Sequence, residues 1–400
     1  MRIALISPLP PEQTGIADYA AAFKNALEGQ GVTVDVPFSG VAIAGTPESV
    51  ARYMAAIDWA VYDVVHAELG GGRIREFLAL EWLAAHAPTV ALTATVHDPE
   101  RLIWKPASLP GPLAMAARLP RAVYQALVLL ADPLTLARER RLARRLSGIV
   151  TLTETGARCL EQRMKLASGA VTTIAHGNFT IDEQALPITP PDGPLKLLYF
   201  GFIYKGKGIE DLIDAIALLF RQRPEAQRKL SLTLAGGTAP DIAFGDDNSY
   251  IAGLQRQLTE AGLAESHVHW QLDVPAAEIP HIIQAHHVLV LPYKESKKLA
   301  FLGRMLGTSG ALSWANACGR GVISSDARAF VEEVSHGNGA VFPQGDSVAL
   351  ATELVKLLDQ PETIGAWSRS ATAMGQARAW PRIASAFGAM FKSVSGKSHD

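Results

Sequence analysis

Residues 196–216 read KLLYFGFIYKGKGIEDLIDAI, and this stretch decides the fold. KLLYFGF (196–202) is a short apolar run of the kind that forms a strand buried on both faces. Glycines at 201, 206 and 208 break it, and a helix is expected near 208–221. A buried strand, a glycine-containing turn and a helix make up the repeating unit of a parallel α/β sheet. Gly201 to Lys207 also spells G-x-x-x-x-G-K. A P-loop needs Ser or Thr at the next position to hold magnesium, and this chain has Gly208. The better fit is a phosphate site without that hydroxyl, in which Lys207 is a point charge beside the N–H groups of the next helix. A solvated surface lysine is the alternative.

The same alternation extends in both directions. Downstream, LSLTLAG (230–236), HVHWQL (267–272), HVLVLP (287–292), GVISS (321–325) and GAVF (339–342) read as strands. Helices are expected between them near 249–262, 276–285, 309–318 and 346–358. Upstream, the strands are RIALIS (2–7), TVDVPF (33–38), DVVHAEL (63–69), TVALTATV (89–96), SGIVTL (147–152) and AVTTIAH (170–176), with helices from IADYAAAF (16–23), TPESVARYMAAI (46–57), RIREFLALEWLAAH (73–86) and residues 154–166. Four prolines among residues 187–194 suit neither a helix nor a central strand and read as a linker. The expectation is two Rossmann-like, doubly wound parallel-sheet domains, 1–185 and 195–380, facing an inter-domain cleft. A last helix over 381–395 closes the chain.

Composition narrows the class. Four hundred residues suit two domains, and 48% hydrophobic content supplies their cores. Thirty-seven Lys and Arg against 39 Asp and Glu give a charge of −2, which argues against a globally basic nucleic-acid binder. The two cysteines, Cys159 and Cys318, suggest neither a disulfide framework nor a thiolate zinc site. The first residues have too short an apolar run for a secretory signal, and no stretch reaches the ~20 apolar residues of a bilayer span. A soluble cytoplasmic protein is expected.

Three further segments offer chemistry. In SPLPPEQTGIADY (7–19), Gly15 precedes a helix whose N–H groups could face an anion, although an ordinary strand-to-helix loop reads the same way. In VHDPE (96–100), His97 and Asp98 sit at the carboxyl end of a strand, where open sheets bind ligands; a buried histidine and a turn-capping aspartate are the alternatives. After Pro292-Tyr293, a basic loop with Lys294, Lys297, Lys298 and Arg304 leads to a helix beginning near Ser309 and Gly310. His281, His286 and His287 lack zinc spacing and read as surface or strand residues, while Trp82, Trp314 and Trp367 read as packing residues. Serine hydrolysis lacks its G-x-S-x-G elbow.

Taken in order, PLPPEQTGIADY, VHDPE, TIAHGNF, GFIYKGKGIEDLIDA, LTLAGG, VLVLPY, ANACGRGVISSD and GNGAVFPQGD resemble the GT-B-fold glycosyltransferases of family 4, the retaining nucleotide-sugar transferases, from residue 1 to about 395. The resemblance implies transfer of a hexose from a nucleoside-diphosphate sugar to a hydroxyl of a glycan or lipid-linked acceptor. It implies that Gly15 sits against the donor phosphates or reacting sugar and that His97 lies beside the transferred sugar. Lys207 would neutralise the departing diphosphate with the N–H groups near Ser309 and Gly310, while Gly201, Lys205 and Tyr293 belong to the same donor side. Gly236 and Gly237 would make room for the nucleotide. No metal or other cofactor is implied, since the protein supplies the positive charge. The final helix would brace the first domain.

The sequence also departs from the family. Members usually carry Arg after the glycine matching Gly201, and here Phe202 stands there. Two family glutamates, one toward the sugar and one toward the ribose, are replaced by Leu306 and Trp314. Lys205 is a candidate for part of the lost charge, and Glu295 for the lost acid. A non-catalytic GT-B partner or scaffold of an active transferase is therefore the second reading. Finally, residues 101–145 hold nine Arg and Lys against two acids, leaving −9 for the rest. Arginines interleaved with apolar patches there, Arg118 and Arg121 among them, suit either an acceptor-side face on an anionic membrane or a solvated salt-bridged insert, with Asp98 nearby in sequence.

Overall fold

The computed structural model describes residues 1–12, 14–87, 89–103, 120–181, 193–237, 247–263, 266–295 and 306–396. Arg118 and most of the proline-rich stretch lie outside them. The chain divides into two compact units, Met1–Ala175 with Trp380–Asp400, and His176–Ala379.

In the first unit, strands β1 (Arg2–Ile6), β2 (Thr33–Asp35), β3 (Val64–Leu69), β4 (Ala91–Val96), β5 (Gly148–Thr151) and β6 (Val171–Thr173) form one parallel sheet. Its order is β2-β1-β3-β4-β5-β6. Every residue of β3 and β4 is buried, because helices cover both faces. Those helices are α1 (Gly15–Glu28), α2 (Pro47–Met54), α3 (Ile74–His86), α4 (Arg121–Ala143) and α5 (Glu154–Met164). Thr14 caps α1 by accepting the Ala17 N–H, and Thr153 caps α5 by accepting that of Gly156.

The second unit repeats the plan with β7 (Leu195–Phe200), β8 (Leu230–Gly236), β9 (Val268–Leu272), β10 (Val288–Leu291), β11 (Gly321–Ser325) and β12 (Gly339–Phe342), ordered β12-β11-β10-β7-β8-β9 and parallel throughout. Its helices are α6 (Ile209–Gln222), α7 (Asp247–Glu260), α8 (Ile279–Gln284), α9 (Gly310–Ala317), α10 (Phe330–Val334), α11 (Ser347–Asp359) and α12 (Glu362–Ala377). Within α6, Ile209, Leu212, Ile213, Ile216 and Phe220 are buried on the core side. This i, i+3, i+4, i+7 spacing makes a helix that packs on a sheet.

The last helix, α13 (Trp380–Ser395), returns to the first unit. It buries Trp380, Ile383, Ala384, Phe387 and Phe391 with Phe23 of α1 and Ile3 and Leu5 of β1. Each of the two phenylalanines contributes roughly 1.5–3 kcal/mol by leaving water.

Some details differ from the sequence reading. Residues 176–181 group with the second unit, because Ser313 Oγ donates to the Gly177 carbonyl at 2.9 Å and Phe179 stacks on Trp314. The sequence reading overlooks α12, whose ETIGAWSRSATAMGQA is rich in small residues and carries little apolar signal. His286 and His287 are buried rather than surface residues, and burial pushes both rings down, His287 to about 4. Burial pushes the thiol of Cys159 up to about 11 and that of Cys318 up to about 12, so neither is a ready nucleophile.

Candidate functional site

Strand order reverses in the second unit between β7 and β10, and ligands bind at such points in open α/β sheets. Three loops meet there through bare backbone. A Cβ on Gly208 (φ 69°) would lie 1.7 Å from the Pro292 carbonyl oxygen. A Cβ on Gly236 (φ 144°) would lie 1.9 Å from that of Gly201. Only glycine combines these dihedrals with such approach. The Lys294 N–H, just after β10, donates to the Gly206 carbonyl at 2.9 Å and ties the loops together.

Lys207 projects into this junction and is only 9% exposed. Its ammonium lies 3.7 Å from the centre of the Tyr293 ring and 5.0 Å from that of Tyr204. Among the described residues no carboxylate pairs with it. Burial, followed by the charge of Arg328, pushes its pKa well below the ordinary lysine value. Aromatic faces can hold a cation without neutralising it. The neighbouring Lys294 is different, because its Nζ is 2.7 Å from Asp211 and its charge is matched.

The Tyr293 hydroxyl meets Ser309 Oγ at 3.2 Å, and burial pushes its pKa up to about 12. It therefore stays a neutral hydrogen-bonding group at the entrance to α9. Ser309 is the N-cap of that helix but its side chain makes no bond to the helix N–H groups, and a Cβ on Gly310 would meet nothing within 4 Å. The first-turn N–H groups of α9 thus lack the side-chain cap that commonly satisfies them. Beside them, the buried Thr308 hydroxyl has no hydrogen-bond partner among the described residues.

The structure therefore brings together Gly201, Lys207, Gly236, Tyr293, Ser309 and, at the start of α9, Gly310. A Cβ on Gly237 would lie 3.6 Å from the Phe202 ring, and Lys205 is exposed. Glu295 is committed elsewhere: its Oε1 accepts the Arg328 N–H at 2.9 Å, and its own N–H donates to Gln344. Trp314 packs against the core and stacks on Phe179, ring centres 5.2 Å apart. Arg328 is the residue that sequence reading misses. Its guanidinium lies 5.8 Å from the Tyr293 ring centre, on a loop without a phosphate-binding pattern.

The first unit holds a separate cluster at its own switch point, between β1 and β3. His97, just past β4, meets Glu68 Oε2 through Nε2 at 2.8 Å. Glu68 is fully buried, and its other oxygen lies 3.3 Å from His66 Nε2. Burial opposes its ionisation, but hydrogen bonds and charge from His66 and His97 outweigh that and hold it down at about 2. His66 is itself fixed by Thr93 and Thr95 at 2.8 and 3.0 Å. Tyr19 packs edge-on to His97 at 4.8 Å. Asp98 accepts the Gly71 N–H at 2.6 Å, which ties the loop after β4 to Gly70-Gly71-Gly72 after β3. Sequence reading misses this triple glycine, although three glycines directly after a strand are a signal for close backbone approach. Gly15, the first residue of α1, has open space where a side chain would be.

Much of the basic segment is internally matched. Arg101 binds Glu139 and Asp132, Arg138 binds Glu81, and Arg140 and Arg145 donate to the Arg163 and Ala84 carbonyls. Arg141 and Arg144 are exposed, as are Leu130 (78%) and Leu134 (62%). Arg121 begins α4. Among the described residues no group of three or more His, Cys, Asp or Glu could hold a metal ion. None of their helices is long and apolar enough to cross a membrane.

Two parallel six-stranded sheets with these flanking helices define the GT-B fold, and solved structures agree. Sucrose-phosphate synthase from Thermosynechococcus elongatus matches with a TM-score of 0.70 at 18% identity, over 99% of both chains. Anabaena Alr3699/HepE in complex with UDP matches at 0.66 and 17%, over 98% of this chain and 100% of that one. Residues 194–360 match the family model Glycosyl transferases group 1, so the second unit carries a domain of that family. A D-inositol 3-phosphate glycosyltransferase from Arthrobacter sp. (strain FB24) is 28% identical over 196 residues, 48% of this chain. The match spans 41% of that relative's length.

Proposed function

We propose that this chain is a retaining glycosyltransferase, moving a hexose from a nucleoside-diphosphate sugar to a hydroxyl of a glycan or lipid-linked acceptor. One observation carries the reading: a buried Lys207, with no carboxylate partner among the described residues, stands with the α9 N-terminus in a group 1 glycosyl transferase domain. That UDP and UDP-glucose occupy Alr3699/HepE supports a uridine nucleotide as the first donor to try.

In this reading the diphosphate lies along the glycine junction with its charge on Lys207 and the first N–H groups of α9. The bond between the anomeric carbon and the diphosphate oxygen breaks, and the charge arriving on that oxygen is stabilised by donors already in place. The acceptor hydroxyl attacks the anomeric carbon from the same face, and its proton passes to the departing diphosphate. The protein's own cations balance the leaving group, so the proposal includes no metal. His97, held by Glu68, is proposed as the first unit's contact to the transferred sugar, with Asp98 fixing its loop. Exposed Leu130 and Leu134 with Arg141 and Arg144 support an acceptor side on an anionic membrane surface.

Incubation with a panel of UDP-, GDP- and ADP-sugars tests the proposal. Release of a nucleoside diphosphate that depends on Lys207 is expected, and neither binding nor turnover with any donor overturns it. The replacement of two family glutamates by Leu306 and by Trp314, stacked on Phe179, favours a second reading as a non-catalytic partner subunit. Stable association with another transferase, without donor binding, is its signature. For the membrane contact, sedimentation with anionic liposomes at low salt is expected, and its absence removes that part.

A further inference from the structure

We infer that Arg328 is a second phosphate-binding cation of the site around Tyr293, and that Glu295 is the positioning residue that aims it. The inference rests on the reading that a nucleoside diphosphate occupies that site.

A nucleoside-diphosphate sugar carries two negative charges on adjacent phosphates, and Lys207 supplies one positive charge. Arg328 lies against the same ring, with its guanidinium carbon 5.8 Å from the centre of Tyr293 and the ammonium of Lys207 3.7 Å from it. Its charge also disfavours protonation of Lys207. Among the described residues neither cation has a carboxylate partner. Two like charges held at one aromatic ring repel each other until an anion enters between them.

The backbone is arranged to keep Arg328 there. Its φ is 57°, in the left-handed region that disfavours side chains. Glu295 Oε1 accepts its N–H at 2.9 Å, and Glu295 is anchored in turn by Gln344. A glycine would adopt this turn without strain, yet the chain carries its longest cation. One guanidinium nitrogen reaches the Thr308 carbonyl at 3.4 Å, immediately before the α9 N-terminus. Arginine presents five N–H donors in a planar fork, so this long bond leaves others for a phosphate. Phe202 cannot supply such a charge, and Lys205 is exposed. Glu295 thus acts through Arg328 rather than on the sugar.

Calorimetric titration of UDP into the full chain and into R328G, R328K, R328Q, E295Q and K207M tests this. R328G is expected to lower UDP affinity at least ten-fold while leaving the melting temperature unchanged or raised, since glycine relaxes the turn. R328K should recover part of the affinity, and E295Q should weaken binding less than R328G. If R328G does not fold, R328Q against R328K makes the same comparison of charge. Wild-type affinity in R328G or R328Q, alongside weakened K207M, makes Arg328 structural and overturns the inference. Wild-type affinity in K207M as well, or no UDP binding by any form, overturns the donor-site reading itself.

Discussion

The two switch points of this molecule handle buried charge in opposite ways. In the first unit, Glu68 is bracketed by His66 and His97, and Asp98 accepts a backbone N–H. In the second, Lys207 and Arg328 share the Tyr293 ring, and among the described residues no carboxylate pairs with the ammonium or the guanidinium. The first cluster sets its buried acid against two imidazoles and fixes His97 through Glu68 Oε2. The second has unmatched charge among the described residues, and the proposed diphosphate would complete it. A buried unmatched cation opposes folding, so its presence points to a bound partner more directly than a matched pair does.

The largest expected effect separates these regions by catalysis. Lys207→Met should reduce turnover by roughly 10²–10³-fold, the range seen when one preorganised charge-stabilising donor is removed. The same change should leave thermal stability unchanged or raise it, because an apolar isostere relieves an unpaired buried ammonium. Steady-state kinetics and a melting curve on one preparation check both halves. Normal turnover would place the leaving-group charge elsewhere.

Next in size is the opposite outcome in the first unit. Glu68→Gln should lower stability by about 3 kcal/mol, since the buried carboxylate charge favoured by His66 and His97 is lost. The pH dependence has a definite sign. The folded carboxylate is held at about 2, below its ordinary ~4.3. Its stabilising contribution is therefore present above ~4.3 and is lost as pH falls through about 2. Denaturant melts of wild type and Glu68→Gln from pH 6 to 2 should converge at the acid end. A gap of constant size would remove this role.

These two clusters also differ in how far the sequence discloses them. The strands are legible because continuous apolar runs such as ALTATV and LKLLYF have no other place in a soluble fold than a covered parallel sheet. Tyr293, His97 and Asp98 are legible because each lies within two residues of the end of such a strand, and Lys207 because it closes a G-x-x-x-x-G-K pattern after one. Glu68 and His66 are not, since they lie inside VVHAEL, where their burial depends on Thr93, Thr95 and His97 from elsewhere. Arg328 is hidden for another reason: its aim depends on a left-handed turn held by Glu295 thirty-three residues earlier. The basic count over 101–145 overstates the free charge, because Arg101 and Arg138 meet acids in the fold.

The smallest expected effect concerns the segment tied to α9. Phe179→Ala removes a half-exposed ring stacked on Trp314 and should cost about 1 kcal/mol of stability. A larger loss of UDP affinity than of stability would make this aromatic pair part of the donor pocket. Equal, small losses keep it structural.

The central claim is that the charge at Lys207 is completed by a diphosphate, and proton linkage tests it most directly. Burial and Arg328 depress the Lys207 pKa in the empty site, and a bound anion raises it. Within the window between these values, binding takes up a proton and weakens as pH rises. UDP titrations from pH 7 to 9, in buffers of different ionisation enthalpy, should show uptake that disappears in Lys207→Met. Tight UDP binding with no proton uptake at any pH, and equally tight in Lys207→Met, would contradict the account.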